Sequence, residues 1–518
     1  MPLPAWCALA VLLATVAGAP GCSAPPAASP VLVIGLDGAT FDVMDPLIAE
    51  GKLPHLAAFR ARGREGVLRS TVPVVSPPAW TSAITGVNPG KHNIFDFFHF
   101  SRSAPQPLLT SSLDRRARPV WDFLNADGIR TGIMNIPMTY PPDRVDGFFI
   151  SGFPFGRSRT GFTYPAELEA ELGDYPLDLF GESLQPGREG ALLKEFRHTL
   201  ERHAEEALRL IRAGEWELFW VVFTGTDKVQ HFYWKFSDPE HPGYDPVLAE
   251  RFGTAIRDFW IRMDEIVGEL VAAVGPETDI LIVSDHGFGP IYEELRMWGW
   301  LRQEGFVTAD SDDPKAIRVQ AMAPGAFGGL VRVNEAGREF GGIVDPADAA
   351  DVRDRIRDRL TELKDPRTGE PFVEELYTRE ELFSGPYVEN APDLLFVETP
   401  ERFVGRGNVT SDQMFGPPSY TFSAFHRPEG ILMAAGPRFP ADGERRAYSI
   451  LDVAPTLYWL FGVDQPRDLD GEVPPDLVGA ERLAGRPVRE GEESAVIAPR
   501  DSGTDGDREV LESLGYVQ

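Results

Sequence analysis

The chain has 518 residues, of which 43% are hydrophobic and 25% are charged. This composition is that of an ordinary globular protein, and the length allows one large core with an insertion or two to three domains. The formal net charge of −29 repels nucleic-acid backbones at long range, so a DNA or RNA duplex is not an expected partner. Small phosphate esters stay open as ligands, because bound cations invert the local field.

The first 30 residues are typical of an export signal followed by a flexible tether. Both cysteines, Cys7 and Cys22, lie here, so the rest of the chain offers no thiolate nucleophile, thiolate metal ligand or disulfide. The apolar stretch at 8–19 and the small residues before Cys22 resemble a bacterial lipoprotein signal. We expect export to the periplasm or cell surface with a lipid anchor on Cys22. Simple secretion and an uncleaved anchor are the alternatives, since no Lys or Arg precedes the apolar stretch.

From residue 31 onward, buried strands alternate with helices. The predicted strands are 31–36, 129–136, 218–223, 279–283 and 430–435, and the predicted helices are 54–62, 120–126, 248–274, 346–363 and 449–461. This alternation predicts an α/β fold with a mostly parallel sheet and helices on both faces. Ligands of such sheets bind at the carboxyl ends of the strands.

The less regular pattern after residue 290 predicts an insertion. We expect the first part of the core at 31–290, an inserted cap at 291–420 and the final part of the core at 421–480. The polar and acidic residues 481–518 are predicted to form a loose C-terminal strap.

Acidic and imidazole side chains stand at or near the predicted strand ends. They are Asp37, Asp227, His231, Asp285, His286 and His426. Asp227 and His231 share one face of a helix at four-residue spacing. Singly, each also suits a turn, a helix cap or an ion pair. Together, oxygen and imidazole ligands without sulfur favour zinc, with manganese or iron as alternatives. Two such ions would clamp the attacking and leaving oxygens of a phosphoryl transfer.

Ser76 is the candidate nucleophile. Pro77 and Pro78 follow it, and proline suits the first turn of a helix. The hydroxyl of Ser76 would then lie at a helix N-terminus, where an anion is favoured. A metal would activate it by lowering its pKa. The alternative is a simple helix cap, and Thr81 and Ser82 are nearby hydroxyls.

These residues, in this order, resemble the alkaline phosphatase superfamily, and most closely the type I phosphodiesterase/nucleotide pyrophosphatase family. The similarity extends over about residues 31–472. It includes the motifs at 33–38, 76–86, 89–92, 135–142, 227–231, 284–287 and 468–471, together with His426.

The resemblance implies a dinuclear metal-dependent hydrolase of phosphate esters, with two divalent ions that are usually Zn²⁺. One ion would be held by Asp227, His231 and His426, and the other by Asp37, Ser76, Asp285 and His286. Ser76 would attack phosphorus and form a covalent phospho-Ser76 intermediate that water then releases. The expected partner is a small phosphate ester. A phosphomonoesterase or phosphotransferase of the same superfamily is the alternative, and a non-catalytic, metal-stabilised surface binding protein is the rival from another class.

The chain departs from the family pattern at several positions. Many members have threonine where Ser76 stands, which is equivalent in kind. Nucleotide pyrophosphatases have a Gly at the position of Asn93 and a phosphate-binding Asn at that of Phe97, so a preference for nucleotides is in doubt. Asn135 is the predicted replacement donor, and Phe97 is a predicted substrate contact. Trp80 occupies the position of an Arg that sulfatases need, which argues against a sulfatase.

Overall fold

The computed structural model of the protein describes residues 29–494 and 497, apart from 101, 103–106, 156–158, 179–182, 310–316, 324–328, 400–402, 408–410 and 442–443. The predicted export signal, with Cys22, and most of the predicted strap fall outside the described residues. Within the described part of the chain, no helix is both long enough and apolar enough to cross a membrane.

Strands and helices alternate through the first half of the chain. Up to residue 150 the elements are β1 (Val31–Leu36), α1 (Phe41–Ala49), α2 (Pro54–Ala61), β2 (Arg64–Arg69), α3 (Ser76–Thr85), α4 (Pro89–His92), β3 (Phe98–His99), β4 (Leu108–Leu109), α5 (Val120–Ala126), β5 (Thr131–Met134) and β6 (Gly147–Ile150). They continue with β7 (Thr163–Tyr164), α6 (Leu168–Leu172), α7 (Glu189–Ala213), β8 (Leu218–Phe223), α8 (Gly225–Ser237), α9 (Pro246–Phe252), α10 (Ala255–Val274), β9 (Asp279–Val283) and β10 (Gly287–Pro290).

The next stretch forms small sheets around a hydrophobic cluster of its own. Its elements are β11 (Glu293–Arg296), α11 (Met297–Gln303), β12 (Val307–Ala309), β13 (Ile317–Val319), β14 (Ala321–Met322), β15 (Gly329–Val333), α12 (Ala349–Glu362), β16 (Val373–Thr378), α13 (Arg379–Leu382), β17 (Leu394–Glu398), β18 (Phe403–Arg406) and β19 (Phe415–Gly416). The chain then forms β20 (Ala424–Arg427), β21 (Glu429–Ala435), β22 (Arg445–Ser449), α14 (Val453–Phe461), α15 (Pro475–Val478) and α16 (Ala480–Gly485). The division into core, cap and strap stays a prediction.

A nine-stranded sheet in the order β22-β2-β21-β9-β1-β8-β5-β6-β7 forms the centre of the described structure. β1 pairs in parallel with both β8 and β9, and β5 pairs in parallel with β8 and β6. β21 runs antiparallel to its two neighbours, and so does β7 to β6. The predicted α/β fold with a mostly parallel sheet is confirmed.

The two faces of the sheet are covered by different helices. Leu32, Ile34 and Leu36 of β1 pack in one hydrophobic cluster with α7, α8 and α10, whereas Val31 and Val33 pack in the other with α3, α5 and α14. A shift of β1 by one residue would exchange these two sets of side chains, so burial fixes its register. The carboxyl end of β1 is thereby held between those of β8 and β9.

The helix predicted at 248–274 is two helices in the structure. α9 ends at Phe252, and α10 begins at Ala255. A Cβ atom on Gly253 would lie 2.7 Å from the Ala249 oxygen and 3.0 Å from the Phe236 oxygen. The end of α8 therefore packs against the chain at a glycine, and the helix is interrupted there.

The segment that precedes β20 is bound along α8. The Lys235 ammonium donates a hydrogen bond to the Tyr420 carbonyl oxygen and lies 3.5 Å from the centre of the Tyr420 ring. Further along, the Ser423 amide donates to the His231 carbonyl oxygen at 2.8 Å. Burial lowers the pKa of Lys235 to about 8, against the opposing effect of Glu189.

The lowered pKa of Lys235 predicts a pH-dependent contribution to stability. Since its folded pKa of about 8 lies below the ordinary 10.5, the unfolded chain binds more protons between these values, and stability rises with pH there. Relative to Lys235→Met, which does not titrate, the wild-type free energy of unfolding should rise by about 1–3 kcal/mol from pH 7 to pH 10. Urea denaturation of both proteins across this range measures it, and a pH-independent difference contradicts the prediction.

Candidate active site

Three adjacent strands bring the predicted carboxylates to one edge of the sheet. Asp37 follows β1, Asp285 follows β9, and Asp227 lies in the first turn of α8 after β8. His231 lies one turn further along α8. His426 is on β20, which pairs antiparallel with β10 and places His426 opposite Phe288, two residues after His286. All six predicted acidic and imidazole side chains therefore converge.

One group of side chains surrounds Asp227. Its Oδ1 atom lies 3.4 Å from Nε2 of His231 and 3.3 Å from Nε2 of His426. The two imidazole Nε2 atoms are 3.1 Å apart. The predicted grouping of these three residues is therefore present as a compact set of atoms that could hold one cation.

A second group surrounds His286. Its Nε2 atom lies 3.2 Å from Oδ2 of Asp285, 3.8 Å from Oδ1 of Asp37 and 3.3 Å from Oγ of Ser76. Ligand atoms of Asp37, Asp227 and His286 also lie within 4.8 Å of one another. Asp227 thus contacts both groups, which sequence reasoning did not anticipate.

Backbone carbonyl groups fix the orientation of the three imidazole rings. Nδ1 of His231 lies 2.8 Å from the Ala424 oxygen, and Nδ1 of His426 lies 2.9 Å from the Val74 oxygen. Nδ1 of His286 lies 3.1 Å from the carbonyl oxygen of the next residue. A carbonyl oxygen only accepts, so each Nδ1 carries the hydrogen and each Nε2 presents a lone pair to the cluster.

The cluster consists of acceptors that face one another. Oδ1 of Asp37 and Oδ1 of Asp227 are buried and receive no hydrogen bond from the described residues. Buried acceptors of this kind are unfavourable unless a donor or a cation compensates them. Oxygen and imidazole ligands are the set that zinc and similar divalent ions bind. The donor set therefore fits the predicted metal ions.

Burial disfavours every charge in this cluster. Burial, together with the neighbouring Asp285 and Asp227, raises the pKa of Asp37 well above its usual value. Burial also raises the pKa of Asp285 and lowers that of His286 to about 4, against the opposing effect of Asp285. The His286 ring is therefore neutral near pH 7, which is the form that binds a metal.

Ser76 lies inside the cluster and does not cap its helix. It is the first residue of α3, and Val75 occupies the cap position. Its hydroxyl lies beside Nε2 of His286, whereas Thr81 donates to the Pro77 oxygen at 2.6 Å. Ser82 Oγ lies 3.0 Å from Nε2 of His92. Of the three candidate hydroxyls, Ser76 is the one placed among the ligand groups.

The two predicted substrate contacts lie outside these groups. The buried side chain of Asn135 accepts a hydrogen bond from the Tyr175 hydroxyl at 2.8 Å and bonds Nδ1 of His203 at 3.1 Å. The half-buried Phe97 ring stacks on Phe153 with ring centres 5.8 Å apart. The substrate-binding roles of Asn135 and Phe97 stay predictions.

Sequence reasoning missed the hydrogen-bond donors that hold the candidate ligands in place. Trp80 donates its indole N–H to Oδ2 of Asp37 at 3.1 Å, and the Gly38 amide donates to Oδ1 of Asp285 at 3.2 Å. The sequence signal was the spacing of Trp80, four residues after Ser76 on the same face of α3. α3 therefore delivers both the hydroxyl and the donor that orients Asp37.

The mostly parallel sheet, with clustered Asp and His side chains at its carboxyl edge, is an alkaline phosphatase-like fold. The chain belongs to the type I phosphodiesterase/nucleotide pyrophosphatase family, whose sequence profile matches residues 31–421. This confirms the resemblance found in the sequence and indicates a hydrolase of phosphate esters.

Two solved structures show the same fold. Human ectonucleotide pyrophosphatase/phosphodiesterase 5 matches with a TM-score of 0.51 and 13% identity, over 86% of this chain and 97% of that one. Phosphonoacetate hydrolase from Sinorhizobium meliloti in complex with phosphonoacetate matches with a TM-score of 0.52 and 17% identity, over 84% and 95%. No curated protein sequence matches the chain.

Substitution of the ligand groups should change the metal content in steps. If the predicted two zinc ions are bound, His426→Ala removes one imidazole from the first group, and the zinc content should fall from two equivalents to one. Asp227→Asn touches both groups and should lower it further, since an amide is a poorer metal ligand than a carboxylate. Metal analysis after dialysis measures this, and two full equivalents in both variants would refute the ligand assignment.

Proposed function

We propose that the protein is a dinuclear metal-dependent phosphodiesterase or pyrophosphatase that acts through a covalent phospho-Ser76 intermediate. One observation carries the proposal: Ser76 Oγ lies 3.3 Å from Nε2 of His286, in a cluster of buried acceptors that face one another. A serine that served only to begin a helix would not need to lie among candidate metal ligands.

Two sets of side chains would hold the ions. Asp227, His231 and His426 form the first set, and Asp37, Asp285, His286 and Ser76 form the second, with Asp227 beside both. Zinc is the ion that this donor set favours. When bound, the ions would lower the pKa of the Ser76 hydroxyl and neutralise charge on the phosphate oxygens.

The protein itself positions the nucleophile and supplies the electrostatic field of a helix dipole. Ser76 begins α3, so a phosphate bound at its hydroxyl would lie near the positive end of the helix dipole. Ser76 would lose its hydroxyl proton to solvent as its Oγ forms a bond to phosphorus and the ester P–O bond breaks, and the leaving oxygen would take up a proton. Water would then attack the phosphoserine and lose a proton to solvent, the P–Oγ bond would break, and Ser76 Oγ would take up a proton again. Both steps fit a nucleophile whose side chain is held among fixed neighbours.

Removal of the hydroxyl should separate turnover from metal binding. In Ser76→Ala we expect kcat on bis-p-nitrophenyl phosphate to fall by about 10⁴-fold or more. Zinc content should stay near that of the wild type, because Asp37, Asp285 and His286 remain. Ser82→Ala is the matched control, since this hydroxyl lies on the same helix but contacts His92.

That control should keep its turnover. The rival hypothesis of a non-catalytic, metal-stabilised surface protein predicts instead that Ser76→Ala leaves every measurable function intact. Wild-type turnover in Ser76→Ala would therefore remove Ser76 from the mechanism.

The family match favours diesters over monoesters, because the matching profile is that of phosphodiesterases and nucleotide pyrophosphatases. We expect kcat/KM for bis-p-nitrophenyl phosphate to exceed that for p-nitrophenyl phosphate, measured on zinc-loaded protein at one pH. The reverse order would move the assignment to a phosphomonoesterase of the same superfamily.

A further inference from the structure

Two buried side chains of α8 bind the turn that carries Asp37. The Thr226 hydroxyl donates to the Asp37 carbonyl oxygen at 2.6 Å. The Gln230 side-chain amide donates to the Gly38 carbonyl oxygen at 2.9 Å, and to the Thr226 carbonyl oxygen at the same distance. Both side chains are fully buried, with 0% exposure. These bonds connect α8, which carries Asp227 and His231, to the backbone of the turn that carries Asp37.

The spacing along α8 shows why these positions act on the ligands. Thr226 and Gln230 are four residues apart and share one face of the helix, while Asp227 and His231 share the adjacent face. Thr226 and Gln230, which donate hydrogen bonds to the turn, therefore each directly precede a predicted metal ligand. A movement of the Asp37-Gly38 turn relative to α8 would change the distance between the ligand groups.

The turn approaches α8 so closely that no side chain fits between them. Gly38 has a φ of +65°, and a Cβ atom there would lie 2.9 Å from the Phe288 ring and 3.2 Å from the Asp227 Cα. Glycine is the residue that this backbone conformation favours. The hydrogen bond from Gln230 thus ends on a residue of the turn that lies close to the backbone of α8.

The Gln230 side chain uses its two donors but not its acceptor. Both of its donors are satisfied, but its Oε1 atom is buried and accepts no hydrogen bond from the described residues. A buried, unsatisfied acceptor is unfavourable, so the net contribution of this side chain to folding is small. Gln230 instead affects the position of the Asp37-Gly38 turn relative to α8, through the two hydrogen bonds that it donates.

We propose that Gln230, with Thr226, is a positioning residue that sets the separation of the two metal-ligand groups. This inference rests on the proposed dinuclear function. Gln230 touches neither the ligand atoms nor the substrate position; it acts through the Gly38 carbonyl group and therefore on Asp37. Loss of its amide should loosen the pairing of the two ions while leaving both ligand sets chemically complete.

Gln230→Met tests the proposal, because methionine has a similar volume and donates no hydrogen bond. The metal-free protein is titrated with Zn²⁺ by calorimetry, its melting temperature is measured, and turnover of bis-p-nitrophenyl phosphate is assayed after loading. We expect the second zinc equivalent to bind about 10–100-fold more weakly, as for other residues that orient metal ligands. The kcat should fall by a similar factor, KM should stay within about threefold, and the metal-free melting temperature should change by less than about 3 °C.

Asn334→Leu is the matched control. The Asn334 side chain donates to one backbone carbonyl, that of Val319 at 2.8 Å, and its buried Oδ1 atom also accepts no hydrogen bond from the part of the chain that the structure describes. Asn334 directly follows β15, which packs in the hydrophobic cluster of the stretch between β11 and β19. Loss of its side-chain hydrogen bond should therefore leave zinc stoichiometry, zinc affinity and kcat unchanged. Thr226→Val is the second variant and removes the other bond to the turn. Combined with Gln230→Met, its loss in zinc affinity should be less than additive, since both act on one turn.

The outcomes separate the two proposals. Wild-type affinity for both zinc equivalents in Gln230→Met and in Thr226→Val would overturn the positioning role. A weakened second equivalent in a protein that hydrolyses no phosphate ester would support the positioning role and refute the proposed function. If Gln230→Met does not fold, the zinc titration of Thr226→Val decides. A wild-type protein that binds no zinc would refute both.

Discussion

The turn formed by Asp37 and Gly38 is the constraint on which the active-site geometry depends. It ends β1, the strand that pairs in parallel with both β8 and β9. Hydrogen bonds to its atoms come from Trp80 and from two side chains of α8, and its own amide binds Asp285. Every element that delivers a candidate ligand, apart from β20, therefore contacts this one turn. All six residues of β1 are buried, and this burial fixes how far the turn that follows β1 extends beyond the edge of the sheet.

The fold holds together a set of groups that repel one another in the absence of a cation. Asp37, Asp227 and Asp285 are forced to share one buried region, and three imidazole lone pairs point at them. Burial of unpaired charge is unfavourable, so the free energy that assembles the site must come from packing on both faces of the sheet. Binding of cations by such a preassembled site would return part of this cost as added stability of the folded state.

Local pattern predicted five strands of the central nine-stranded sheet and the candidate ligands near their ends, but it could not show how these side chains are held. The runs at 218–223 and 280–283 are apolar because both faces of these strands are covered, and their ends are sharp in the sequence. The contact of Asp227 with both ligand groups depends on side-chain placement in three dimensions. The bond from Thr226 to Asp37 spans 189 residues and ends on a backbone carbonyl group, for which no residue type is diagnostic. The break at Gly253 lies where the end of α8 packs closely against the chain, a contact that the local apolar pattern does not show.

The position of His426 follows from how the chain returns from its irregular middle stretch. After β19 the chain is bound along α8 at Tyr420 and Ser423, before β20 begins. The same helix carries His231, whose Nδ1 hydrogen bonds the Ala424 carbonyl oxygen. His426 is thus held beside His231 by α8, by the pairing of β20 with β10 and by the Val74 carbonyl oxygen, so three separate elements determine the position of this imidazole.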